Sequence, residues 1–386
     1  MKKKAIYLFF SLVFSLSAVA QEEISRFISS GANDMENLME AYLQPFGKGF
    51  GAAMNSGWYY TAKTHEAFGF DVTLNATVVT VPSADGTFKF SDYNWKLLSP
   101  GNSLTSATIT GSGDGASVGL QLDDGAGTTG SIDNLYTLPA GTTVDMVPLP
   151  MMQLGVGLPK GTDVVFRFFP EIEFGDYGKM GMIGFGLRHD IKQWIPGVKK
   201  LPFDMAIQGA WSRLAATYNG IEYYPDDFVD RSTFDIVDPN LPQFNSPNFD
   251  AAVENDFYRT QDLTLTTSAW NANLIVSKKL AFFTPFVSLG YSSSDFNIGL
   301  NGKYLIPEYN LPIGDYSLAD DTNGDFVITV LDEENIVKDP IDATIHYSSF
   351  NTSVGFQLKL ALLSIHAAYV YQSYSMVNFG LGVTFR

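Results

Sequence analysis

Few residues of this chain are spaced for chemistry. Asp321, Asn323 and Asp325, with Asp332 at the twelfth position, put side-chain oxygens where a loop could wrap a calcium ion. Phe326 stands where such a loop needs glycine for its sharp turn, and Asp332 is one methylene shorter than the glutamate that binds calcium with both oxygens. A polar turn in an acidic surface loop accounts for the same residues, so weak structural calcium is the only cofactor in view. The four histidines, His65, His189, His346 and His366, show no metal-ligand spacing. The chain has no cysteine, which excludes disulfides and thiolate metal sites. Neither a P-loop nor a paired-glycine nucleotide fingerprint occurs. A hydrolase would need Ser, His and Asp partners converging in space; the expectation is that this protein is not an enzyme.

The elements that carry these residues are better marked. Val377, Phe379, Leu381, Val383 and Phe385 alternate with Asn378, Gly380, Gly382 and Thr384, giving a strand one apolar face and one small or polar face. A transmembrane barrel ends on such a strand, sealed against its first; the last strand of a secreted β-sandwich would share the alternation. In a barrel Leu381 faces lipid and refuses a charge, while Gly382 and Thr384 face inward and tolerate polar substitution. The ending resembles the closing strand and assembly signal of Gram-negative outer-membrane proteins, which implies the barrel-assembly machinery as a partner.

At the other end, Lys2 to Lys4, the apolar run Ala5 to Leu16 and Ala18-Val19-Ala20 make residues 1–20 a cleavable signal peptide, with the mature chain starting at Gln21. Nothing after it offers about 18 consecutive apolar residues, so a membrane form must be a barrel. Aromatics at 14%, 35 glycines and 17% charged residues suit one, with the lipid bilayer as partner. A formal net charge of −17, with three lysines in the leader, argues against a nucleic-acid partner. The expected address is the outer membrane of a Gram-negative bacterium.

Residues 21–66 read as an N-terminal helical segment and 67–386 as the barrel with long extracellular loops. Asn33 and Glu36 form a capping box, and Met35, Leu38, Met39, Tyr42 and Leu43 recur at helical spacing until Pro45, which predicts a stop. Gly47, Gly49, Gly51 and Gly57 then favour tight packing over a long regular element. This stretch is either a plug in the barrel mouth or a helix lying on its rim. From Phe68 the period becomes 2: Phe68, Phe70, Val72, Leu74, Ala76 and Val78 oppose Asp71, Thr73, Asn75 and Thr77. Val164, Phe166, Phe168 and Ile172 oppose Arg167, Glu171 and Glu173 in the same way, which makes Asp71, Arg167, Glu171 and Glu173 candidate lumenal charges. Ten such stretches are legible, so ten to fourteen antiparallel strands are expected, in even number. Joins at one end are short, such as 159–162 and 277–281, whereas 82–145, 219–257 and 301–342 at the other are long and acidic. A soluble sandwich has no reason to sort its loops in this way.

The helix, the small-residue run, the strands and the aromatic ending together resemble FadL-type transporters of hydrocarbons and long-chain fatty acids. Residues 49–59 (GFGAAMNSGWY) and 187–197 (LRHDIKQWIPG) look like an uncharacterised outer-membrane family thought to share that barrel. The resemblance implies fourteen strands, an N-terminal hatch with an Asn-Pro-Ala motif, and lateral release of an apolar ligand. Asn55-Ser56-Gly57 is a loose stand-in for the motif. Met35, Leu38, Met39, Tyr42, Leu43 and Phe50 are the candidate pocket for a hydrophobic small molecule, since methionines adapt to flexible aliphatic chains. A non-transporting receptor or adhesin barrel and a simple diffusion porin are the competing readings.

Overall fold

The computed structural model describes residues 32–123, 129–173, 178–219, 261–305 and 336–385. The leader and the calcium-like group Asp321, Asn323, Asp325 and Asp332 lie outside the described residues. Ten strands close an antiparallel barrel: β1 Phe70–Thr80, β2 Met146–Leu158, β3 Thr162–Glu173, β4 Gly178–Asp190, β5 Asp204–Tyr218, β6 Asp262–Ser277, β7 Phe283–Asn301, β8 Ile341–Leu360, β9 Leu363–Tyr371 and β10 Met376–Phe385. Each pairs with its neighbours in sequence, and β10 closes on β1 with Phe70 opposite Phe385 and Leu74 opposite Leu381. The two closing phenylalanines stack with ring centroids 4.8 Å apart. The fourteen strands implied by the family resemblance are therefore ten, and diameter falls with strand number. A lumen this narrow can be filled by one helix.

The alternation places apolar side chains outward and polar ones inward. Leu74, Phe166, Ile183, Leu289 and Leu381 are exposed, while Asp71, Thr73, Asn75 and Thr77 of β1 are buried. This inverts the order of a water-soluble domain and gives the barrel an apolar outer belt. Phe166 with Phe185, and Tyr291 with Trp270 and Phe350, form aromatic contacts on that belt. No described helix is long and apolar enough to cross a membrane.

The lumen is packed. Helix α1 (Ala32–Met54) lies inside the barrel against β1, β2, β6, β7 and β8. It does not stop at Pro45 but continues through the glycine run. Inside a barrel the backbone finds few partners outside its own helix, so intrasegment hydrogen bonds outweigh the roughly 3 kcal/mol propensity cost of an interior proline. The glycines supply close approach: a Cβ on Gly51 would collide with Ser294, and one on Gly47 with Phe296.

The connections 159–161, 191–203, 278–282 and 361–362 share one end, and the three long connections share the other with two joins of four residues, 174–177 and 372–375. Helix α1 begins at the long-loop end, where the Asp34 carboxylate accepts the backbone N–H groups of Lys96, Leu97 and Leu98 at 2.7–2.8 Å. Those residues belong to the 81–145 connection, which folds into short hairpins capping the barrel. Residues 55–69 then descend to the short-turn end, where β1 begins.

Two features depart from a regular barrel wall. β3 carries a bulge between Phe169 and Ile172 that reverses its parity; Ile172 turns to the interior, while Glu171 and Glu173 are exposed. β2 pairs with β3 only over Met152–Leu158, so among the described residues Met146–Met151 pair with β1 alone. Pro148 and Pro150, which have no N–H to donate, lie in that half-paired stretch.

Candidate functional site

The lumen has two layers. Towards the long loops it is apolar: Met35, Leu38, Met39 and Tyr42 pack with Phe88, Phe90, Leu98, Ile109 and Leu138 of the cap and with Phe296, Ile298 and Ile345 of the wall. Directly beneath, Phe50 and Met54 meet Met151, Met180, Met182, Met376, Val147 and Leu214. Phe169 and Ile172, beside the half-paired seam, pack on this second group. Methionines from three strands and the helix thus converge on one place.

The layer towards the short turns is polar and held by two arginines. Arg167 of β3, 1% exposed, donates to the carbonyls of Met54 and Ser56 at 2.9 and 2.8 Å and to Gln153 at 3.3 Å. A cation at a helix C-terminus meets its unsatisfied carbonyls and the negative end of its dipole. The guanidinium also lies 3.8 Å from the centroid of the Trp58 ring, whose indole N–H donates to Met54. Trp58 fits because Gly184 and Gly186 of β4 leave the wall bare beside it. Further down, Arg188 pairs with the fully buried Asp163 and donates to the carbonyl of Thr61 at 2.9 Å. Asp163 also accepts the His65 N–H at 2.9 Å, and the other ring face of the cluster brings His65 Nε2 to 3.6 Å from Asp71. Tyr60 donates to Asp71 and stacks on His366 at 4.5 Å. Burial, and the carboxylate beside it, hold the Tyr60 phenol well above its ordinary pKa, so it remains a donor.

These positions correct part of the sequence reading. Asp71 and Arg167 are lumenal, but they contact protein groups in a filled interior rather than a water column. Glu171 and Glu173 are not lumenal; the β3 bulge puts them outside, where Glu171 sits 3.5 Å from Lys179. The structure brings Met35, Leu38, Met39, Tyr42, Leu43 and Phe50 together in the upper layer, yet they pack against the protein's own side chains and line neither cavity below. Asn55, Ser56 and Gly57 form the turn out of the helix: Asn55 donates to the Ser293 carbonyl at 3.0 Å, and Gly57 adopts φ 71° with Asn378 where a Cβ would go. Gly382, expected to tolerate polar substitution better than Leu381 tolerates a charge, is tightly enclosed, with Thr73 Oγ1 2.5 Å and the Val72 carbonyl oxygen 2.9 Å from its Cβ position.

Sequence reasoning missed Asp163 and Arg188, whose signal was charge at inward parity on β3 and β4, and the role of Trp58, which lies in the descending segment where strand parity does not apply. Gly115, Ser117 and Gly119 have the G-x-S-x-G spacing of a hydrolase elbow, but Ser117 opens a strand rather than a strand-to-helix turn, and no elbow forms. Among the described residues no group of three metal-ligating side chains converges.

Two cavities flank the descending segment. One, at mid-height, is lined by Asn55, Ser56, Gly57, Asn273, Asn351 and Asn378, with room for about one water at 20 Å³. The other, of 110 Å³, lies at the short-turn end between residues 60–66 and the wall.

Fold and lumen together define a ten-stranded antiparallel barrel whose N-terminal segment fills its own pore. The chain belongs to a family of unknown function (DUF6588), whose model matches residues 1–385. No curated protein matches it. Among solved structures, it is similar to the translocator domain of autotransporter NalP from Neisseria meningitidis at 10% identity, covering 83% of this chain and 90% of that one, with a TM-score of 0.16. The P. putida toluene transporter TodX is 10% identical, with 87% and 94% covered and a TM-score of 0.21. The FrpB iron transporter from Neisseria meningitidis is also 10% identical, with 80% and 54% covered and a TM-score of 0.19. Likenesses this distant carry no functional argument.

Proposed function

We propose that this protein is an outer-membrane barrel that passes hydrophobic small molecules, such as fatty acids or hydrocarbons, under control of its lumenal segment as a hatch. The observation that carries the reading is the meeting of the methionine-rich layer with the half-paired β2–β3 seam. Apolar solutes are held back by the charged saccharide surface of an outer membrane and need a shielded apolar path. Methionine side chains reshape around flexible ligands at low cost, and a seam without a complete hydrogen-bond ladder is the weakest part of a barrel wall. The polar lower layer argues against axial passage of an apolar molecule, because its hydroxyl and amide groups would lose their partners. A filled lumen also argues against the diffusion-porin reading.

The chain's lack of cysteine makes a clean test available. The Cβ position of Gly49 lies 3.6 Å from Val147 Cβ, close to the ~3.8 Å of a disulfide. Gly49→Cys with Val147→Cys should lock helix α1 to β2 when oxidised. The expected result in proteoliposomes is uptake of a fluorescent fatty acid by the reduced double variant, its loss on oxidation and its return with reductant. Equal uptake in both redox states would show that the helix is a fixed filler. No uptake by the unmodified protein would favour a receptor or adhesin.

A further inference from the structure

We infer that the cavity at the short-turn end is a binding site for a single oxyanion group, a phosphate or a carboxylate. Three lysines from separate elements line it: Lys63 of the descending segment, Lys279 of the β6–β7 turn and Lys359 at the foot of β8. Lys63 and Lys279 are exposed and Lys359 is half-buried. Glu66 and Asp204 also line the cavity. Even so, among the described residues no carboxylate lies within 4 Å of any of the three ammonium groups. Three like charges around one cavity, with no carboxylate in contact with any of them, favour an anion between them.

A second, independent feature points the same way. Thr384 of β10 is 5% exposed and lines the cavity, and its hydroxyl has no hydrogen-bond partner. A buried hydroxyl without a partner costs about 1–3 kcal/mol, a cost that an oxyanion accepting its proton removes. Thr284, also buried, lines the same wall. The volume of 110 Å³ admits one such group. The site does not depend on the transport reading, and the redox lock on helix α1 leaves it untouched, so either idea can fail alone.

The test is calorimetric titration of the full-length protein, in a neutral detergent, with inorganic phosphate and with acetate. Saturable binding is expected, about tenfold weaker in Lys359→Gln and in Lys279→Gln, several-fold weaker in Thr384→Val, and unchanged in Lys192→Gln. Lys192 lies at the same end but donates to the Leu201 carbonyl, outside the cavity. Lys279 is on an exposed turn, so its variant keeps the test valid should Lys359→Gln fail to fold. Repeating the phosphate titration in nanodiscs separates the two sources. Weaker apparent binding in phosphatidylglycerol than in phosphatidylcholine assigns the site to a lipid headgroup, and equal binding assigns it to a free anion. No saturable binding of either anion, or equal affinity in the lysine variants and the unmodified protein, overturns the inference.

Discussion

The two halves of the lumen hold the same N-terminal segment by different physics. In the outer half, helix α1 is gripped mainly by apolar burial, which is non-directional and tolerates small displacements, with the Asp34 contacts to the cap confined to its first turn. In the inner half, residues 55–66 are held by two buried arginines, a buried carboxylate and a set of amide contacts, each with one correct geometry. The contrast teaches which part can rearrange. The clamps at Arg167 and Arg188 fix the register of the segment, whereas the methionine layer above them is held by packing.

The largest expected effect comes from the deepest clamp. Arg188→Met leaves Asp163 buried with only His65 beside it and should destabilise the folded barrel by about 3–5 kcal/mol, read from urea unfolding followed by tryptophan emission. Asp163→Asn added to Arg188→Met should recover more than half of that loss, since the carboxylate that Arg188 pairs with is then neutral. A loss under about 1 kcal/mol for Arg188→Met would erase the contrast between the halves.

The next test concerns what surrounds the barrel. Leu381→Arg places a charge on the apolar belt and should cost about 2–4 kcal/mol in a bilayer, whereas Thr384→Ser, one strand face away, should fold as the unmodified protein does. Comparable folding yields for the two in lipid vesicles would mean that the belt does not face lipid. Arg167→Met removes hydrogen bonds from a charged donor to the end of the helix and should cost about 1.5–3 kcal/mol. It should also raise the frequency of channel openings in planar bilayers, and an unaltered record would place the fixed point of the segment elsewhere. The smallest effect belongs to the rim. Lys179→Gln breaks the exposed pair with Glu171 and should change stability by less than about 1 kcal/mol; a larger cost would contradict the outward placement of Glu171.

Much of the wall was legible in the sequence. Alternation is a property of adjacent residues, so Val72, Leu74 and Leu381 announced their face without reference to any partner. Loop lengths, also local, sorted the two ends. Where the local rule failed, a non-local term had overridden it. Pro45 and the glycines after it argued against a helix, yet enclosure by the barrel made the helix the way to satisfy its backbone. The parity of Glu171 and Glu173 was read correctly up to Phe169, but one bulge reversed it, and a bulge depends on both neighbouring strands.

What the chain determined by itself is the alternation and therefore a closed, apolar-coated barrel, together with an amphipathic helix ahead of it. What the tertiary structure decided is the content of that barrel. Ten strands set a lumen narrow enough for one helix, Gly184 and Gly186 became the recess for Trp58, and Arg188, Asp163 and His65 became a clamp. Asp163 and Arg188 face each other across the β3–β4 pair, and only the return of the N-terminal segment into the lumen brings His65 to them. Lys63, Lys279 and Lys359 are separated by more sequence still, and no spacing rule links them. Periodicity reports the environment of each face, whereas convergence of side chains across a lumen is fixed by strand order and register, which are properties of the whole fold.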